Sequence, residues 1–133
     1  MTLIRTGARH KLSLDNRPDH CPASAAGRFV VRADGSARFD RHHHEFAEFW
    51  FIAQGRGTIL IGETEHQVEA GDILYTAPGQ DHDILDVAEE LHVFYLSAEL
   101  PPAASPHHLH RTPEAALKHP VPVRDRRQVN DHA

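Results

Sequence analysis

The stretch RHHHEFAEFWFIAQGRG, residues 41–57, sets three adjacent histidines and two glutamates ahead of an aromatic run and a Gly-rich segment. On a β-strand, alternate side chains share a face. His42, His44, Phe46, Glu48, Trp50 and Ile52 therefore point one way, and His43, Glu45, Ala47, Phe49 and Phe51 the other. The first set carries two imidazoles and a carboxylate followed by large apolar groups, the pattern of a polar cluster at one end of an apolar barrel interior. Such donors with open positions opposite them suit a divalent transition metal, Fe, Mn, Zn, Ni or Cu. A bare histidine triplet is more often a solvated patch. A fourth donor from a remote strand would decide the matter, and His82, in APGQDHDIL, opens a strand just after a Pro-Gly turn.

Outward from this stretch, short β-type runs alternate with turn signals. RFVVRA, HEFAEFWFI, TILI, EHQVE, ILYTA, HDILDV and LHVFYLSA are separated by ADGS, QGRG, GET, AGD, PGQD and AEE. No 3.6-residue period competes with them. This spacing predicts an antiparallel sandwich or barrel, which must close or protect its edges. Residues 1–27 read as an N-terminal arm, 28–100 as the β-barrel and 101–133 as a Pro-rich, polar tail. The tail has room for one short helix, with Thr112 as N-cap, Pro113 at the first helical position and a stop before Pro120.

The chain has 133 residues, enough for one domain and no second one. Its net charge is -5 with histidine neutral, and its basic residues form no sustained block outside residues 124–127, which argues against a nucleic-acid partner. Cys21 alone can form neither an intramolecular disulfide nor a thiolate zinc cluster. The N-terminus lacks the apolar core of a signal peptide, and no run approaches the roughly 18 apolar residues of a membrane span. These features predict a cytoplasmic protein with no membrane partner.

The residues together resemble the cupin superfamily, small β-barrels with two metal-binding motifs. The first motif is carried by Gly35, His42, His44, Glu48 and Gly55, and the second by Gly71, Asp72, Gly79 and His82. The pattern departs from the family in a longer Gly35 to His42 interval, in Ala77 where proline is usual, and in Asp86 where asparagine is common. The resemblance covers about residues 35–96. It implies a cupin-type antiparallel barrel (double-stranded β-helix, or jelly roll) and one divalent metal ion on His42, His44, Glu48 and His82.

Around such a centre, Trp50, Ile52 and Ile84 are candidate pocket walls, and Asp86 a candidate base or orienting carboxylate. In LHVFYLSA one face must look inward. If it is the face of His92, that residue is a candidate proton shuttle; if it is the other, Tyr95 is. For each, a satisfied structural side chain is the simpler reading. His107, His108 and His110 lack a carboxylate partner in the sequence and read as solvated.

Cupins perform many chemistries, so the fold does not name the reaction. The resemblance implies a metal-dependent enzyme on a small oxygenated metabolite, a dioxygenase or other oxygenase first, then a decarboxylase or lyase, or a sugar isomerase. The alternative is a non-catalytic binding or sensing module, because residues 48–82 resemble the sensing domains of arabinose-type regulators equally well. Phe49 and Phe51, opposite to the ligands, need cover, which predicts a homodimer, with the N-terminal arm adding to a neighbour's sheet.

Overall fold

The computed structural model describes residues 3–7 and 10–124. The last nine residues of the expected tail, and residues 1, 2, 8 and 9 of the expected arm, lie outside them. Among the described residues the strands are β1 (Ala23–Val31), β2 (Arg38–Phe39), β3 (Glu48–Ile61), β4 (Thr64–Glu69), β5 (Ile73–Thr76), β6 (His82–Ala98) and β7 (His119–Pro120). The fold is an all-β cupin barrel whose named strands pair antiparallel, with one parallel bridge between Val87 and Val123.

β3 and β6 form its spine. The first half of β3 pairs with β5 on one side and with the end of β6 on the other. Its second half pairs with β4 and with the start of β6, while β1 flanks the end of β6. The core gathers Trp50, Ile52, Ile59 and Ile61 from β3, Ile84, Val87, Leu91 and Val93 from β6, and Val31, Val68, Leu74 and Val121 from their surroundings.

Two expected turns are absent. QGRG lies inside β3 and AEE inside β6, and both strands run on through register shifts between Ile52 and Gly57. Bulges bend a strand without ending it. Here they also change which parity faces the core: Trp50 and Ile52 are buried before the bulge, and Ile59 and Ile61 after it. Gly55 makes the bend possible, with φ of +93° and a position so close to the crossing chain that a Cβ would lie 2.0 Å from the Glu90 carbonyl oxygen.

The strand over residues 41–52 is shorter than its pattern predicts. β3 begins only at Glu48, after a bend at Glu45 and Phe46, and β1 begins at Ala23 rather than Arg28. Ahead of β1, Leu12 exchanges both backbone hydrogen bonds with Ala26. The arm thus adds to the chain's own sheet at Leu12.

The C-terminal segment also departs from expectation. Thr112 does cap the following amide through its hydroxyl, accepting from Ala115 at 3.1 Å. The segment then forms hydrogen-bonded turns instead of a helix, Ala116 to Pro113 and Leu117 to Glu114. Beyond them β7 pairs with β2, Val121 enters the core at 1% exposure, and Val87 exchanges backbone bonds with Pro122 and Arg124. Residues 119–124 are part of the barrel wall.

His119 anchors this return through its Nε2, 2.6 Å from Oδ1 of the buried Asp83. Burial alone would lower its pKa, but the Asp83 hydrogen bond and the Pro120 carbonyl outweigh it, and the net shift is upward. A group whose folded pKa is raised stabilises the fold fully below its unfolded value and loses that contribution as pH rises through the folded value. The melting temperature of His119→Gln is therefore expected to fall below that of the native protein at pH 6, with the gap closing by pH 9. A gap that widened with pH would contradict this pairing.

Candidate metal centre

The remote histidine reaches the first motif through the backbone. His82 donates its amide to the His42 carbonyl at 2.8 Å, and His42 donates back to His82 at 3.2 Å. The turn at Gly79 is tied to the same segment, its amide donating to the His44 carbonyl at 2.7 Å. These bonds bring the His42 and His82 rings to 4.2 Å, with His44 5.0 Å from each. One donor atom from each of His44, Glu48 and His82 lies within 4.8 Å of the others, and the same is true of His42, His44 and His108. His43 points away, to Asp81.

The supports around these donors fix their roles. His42 Nδ1 is 2.7 Å from the Asp40 carbonyl oxygen, which can only accept, so Nδ1 carries the hydrogen and Nε2 is left as the donor to a metal. Glu48 faces Ser97 across the β3–β6 ladder, and its Oε2 accepts from the Ser97 hydroxyl at 2.8 Å. Its Oε1 accepts from the Trp50 indole at 2.7 Å. Each oxygen keeps a lone pair for a cation. Burial nevertheless pushes the Glu48 pKa up against these two hydrogen bonds, as it does where no positive charge is near.

The imidazoles are shifted the other way. Burial, then the neighbouring rings of His42 and His44, push His82 down to about 2. Burial, then His108 and His42, push His44 to about 3, and burial lowers His42. The rings are therefore neutral at physiological pH, the form that binds metal. Both nitrogens of His82, a residue that is 1% exposed, are buried with no hydrogen bond of good geometry among the described residues, Gln80 being a distant backbone neighbour that only partly offsets the burial. An unpaired buried polar group costs about 1–3 kcal/mol, and a divalent cation among these donors would satisfy it. The residues fit a metal ion of the kind expected.

Above the donors lies a cavity of about 570 Å3 whose walls include His42, His44, Glu48, Trp50 and Tyr95. Tyr95 pairs with Trp50 across the ladder and so faces inward. Gly27 clears space for it, since a Cβ there would meet the Tyr95 hydroxyl at 2.6 Å. Burial first, and then the Glu48 charge, raise the Tyr95 pKa, which keeps the phenol protonated. Lys11, Arg32, Arg38 and Lys118 also line the cavity.

Other residues expected at the site sit elsewhere. His92 shares its strand face with exposed Phe94 and Leu96 and pairs with Glu90 at 2.8 Å. The shifts of register within β6 put the odd-numbered residues inward there, although His82 and Ile84 are inward at its start. Ile52 and Ile84 are packed in the core and do not line the cavity. Asp86 is buried under the returning C-terminal segment, with Arg124 at 3.7 Å. His108, read from the sequence as solvated, is exposed and yet stacks on His42 at 4.0 Å and 6°. Only the alternation of His108 and His110, like that of His42 and His44, hinted at it.

Comparison with known proteins agrees with this architecture. The uncharacterized protein y4oW of Sinorhizobium fredii is 34% identical over 65 residues, 49% of this chain, and the match spans only 30% of that protein. Among solved structures, a cupin protein from Bacteroides fragilis superposes with a TM-score of 0.57 at 19% identity, covering 86% of this chain and 91% of its own. The DMSP lyase DddQ from Ruegeria pomeroyi gives 0.59 at 19% identity, covering 71% of this chain and 46% of its own. At such identities the likeness speaks for the fold alone. The profile of the AraC-like ligand-binding domain matches residues 28–130, and with the barrel and both motifs in place, the chain belongs to that family within the cupin superfamily.

Proposed function

We propose that this protein is a metal-dependent enzyme acting on a small oxygenated metabolite, with His42, His44, Glu48 and His82 holding one divalent ion, Fe, Mn, Zn, Ni or Cu. The observation that carries the reading is His82, whose two nitrogens are buried with no hydrogen bond of good geometry among the described residues, beside donors that converge from separate segments. Such an ion supplies Lewis acidity and open positions for substrate oxygen or O2.

The chain's own residues do the rest. Trp50 and Ser97 hold the Glu48 carboxylate in one orientation from both oxygens. The Tyr95 hydroxyl, protonated and on the same wall, is the candidate proton donor. Lys11, Arg32, Arg38 and Lys118 outnumber the carboxylates Asp40 and Glu48 on the cavity wall, a balance that favours a carboxylate-bearing substrate. Its volume suits a small metabolite. We place an oxygenase first, then a decarboxylase or lyase, then an isomerase.

The family favours a second reading, a ligand-sensing module without catalysis. Turnover of a panel of small carboxylates by metal-loaded protein, with and without air, separates the cases. Oxygen consumption matched to product supports the oxygenase, and product without it supports the other reactions. Tight ligand binding that survives chelation, with no turnover, would replace the enzyme by the module.

No helix of the described residues is long and apolar enough to cross a membrane. We place the protein in the cytoplasm, on the support of its single cysteine. We also place it in a homodimer. Ile73, Tyr75, Phe49, Phe51, Phe94 and Leu96 are ladder neighbours across β5, β3 and β6, and all but Phe49 are exposed. A continuous apolar sheet face of this kind marks an interface. Light scattering is expected to return twice the 14.9 kDa chain mass, and Phe51→Asp to return a single one. A monomeric native protein would end this proposal.

A further inference from the structure

The segment that crosses the cavity after β6 is fastened at several points. Leu109 and His43 exchange backbone hydrogen bonds, 2.9 Å each way. His110 Nε2 meets Asp40 Oδ2 at 2.6 Å, Arg111 Nε donates to Asp81 Oδ2 at 2.9 Å, and the Ser105 amide donates to the Glu45 carboxylate. The antiparallel bridge of His43 with Leu109 has a consequence for the flanking residues. Its register sets His44 opposite His108 and His42 opposite His110, all four on the face away from His43 and Leu109.

The rings share that face, with His108 leaning to the diagonal neighbour His42. His108 lies 4.0 Å from His42 and 4.8 Å from His44, ring centre to ring centre. One donor nitrogen from each of His42, His44 and His108 falls within 4.8 Å of the others. Two nitrogens bound to one ion at about 2.1 Å can be no more than about 4.2 Å apart, and an imidazole lone pair lies in the ring plane, so sharing an ion requires the His108 ring to turn out of its parallel stacking on His42. His110 is occupied by Asp40, whereas neither nitrogen of His108 has a hydrogen-bond partner among the described residues.

We propose that the C-terminal strap delivers His108 as an additional, displaceable protein ligand to the ion held by His42, His44, Glu48 and His82. This rests on the metal-centre reading above. Four donors come from β3, β6 and the bridged segment ahead of β3, and the fifth from a strap tied by the His43–Leu109 bridge and by contacts to Asp40, Asp81 and Glu45. An incoming carboxylate or hydroxyl oxygen would take its place at the ion and free the imidazole beside it. The strap thus makes access to the metal depend on ligand exchange, and it would favour anionic oxygen donors, which compete with a neutral nitrogen through charge.

The test uses untagged full-length protein loaded with Co(II), comparing the native chain with His108→Ala, His107→Ala and His82→Ala. His108→Ala is expected to weaken Co(II) binding about tenfold in chelator competition and to change the intensity of the visible bands, which report coordination number. Added imidazole should restore the native spectrum. His107→Ala should match the native protein, since His107 is not among the groups gathered around His42 and His44. Unchanged affinity and spectrum in His108→Ala, with Co(II) lost from His82→Ala, would overturn the fifth ligand and leave the centre standing. Two Co(II) per native chain and one in His108→Ala would make His108 part of a separate site, which also overturns it. Native protein that takes up no Co(II) would remove the centre and this proposal together.

Discussion

Replacing His82 with alanine is expected to lower bound metal from near one ion per chain to near zero while leaving the metal-free fold in place. Binding energies for four-donor sites, about 10–16 kcal/mol in zinc peptides, imply several kcal/mol per donor. Losing one of four should weaken affinity by about a thousandfold or more. In metal-free protein the same change is nearly neutral. It removes two buried nitrogens with no hydrogen bond of good geometry, a relief of about 1–3 kcal/mol, and it opens a cavity whose cost is of similar size.

The contrast is measurable in two ways. Elemental analysis of untagged protein from its own host should show the stoichiometry falling. Added metal at about a hundred times its dissociation constant should stabilise the native protein by about 2.7 kcal/mol, a rise of roughly 8 °C in melting temperature for a chain of this size. The variant should show no rise. Native protein that carries no more metal than His82→Ala would defeat the metal-centre reading.

The largest stability loss is expected at Gly55. Its φ of +93° disfavours any side chain, and a Cβ would stand 2.0 Å from the Glu90 carbonyl oxygen and 2.6 Å from its carbon. Those are backbone atoms of the neighbouring strand, so they can yield only by breaking the ladder. Gly55→Ala should cost about 4 kcal/mol or more, a drop of roughly 10–20 °C in melting temperature. Gly71 has a similar φ, +98°, but open space where a Cβ would go. Gly71→Ala should lose only about 1–2 kcal/mol, the cost of the backbone conformation. Equal losses at the two positions would show that the crossing at Gly55 is not as tight as described.

The opening stretch was readable because strand parity is a local property. His42, His44, Phe46, Glu48, Trp50 and Ile52 are all buried, as their alternation requires, even though the chain bends at Glu45 and Phe46. His82 was readable from its place after the Gly79 turn. The last strand was not readable in the same way. Parity counted from His82 would turn His92 inward, and the intervening register shifts turn Tyr95 inward instead. QGRG shows the same limit, since glycine permits a turn and a bulge equally well, and the partner strand selects between them.

By itself, then, the sequence determined an all-β barrel, because alternation and turn chemistry are written in neighbouring residues, and through the resemblance of its motifs it marked His42, His44, Glu48 and His82 as candidate donors. Only the tertiary structure decided that Tyr95 faces the cavity, that Ile52, Ile84 and Asp86 stand apart from it, and that His108 comes back over His42. Those placements depend on register and on contacts between segments distant in the chain. Such contacts exist only once the ladder of β3 and β6 has formed and the C-terminal strap has found His43.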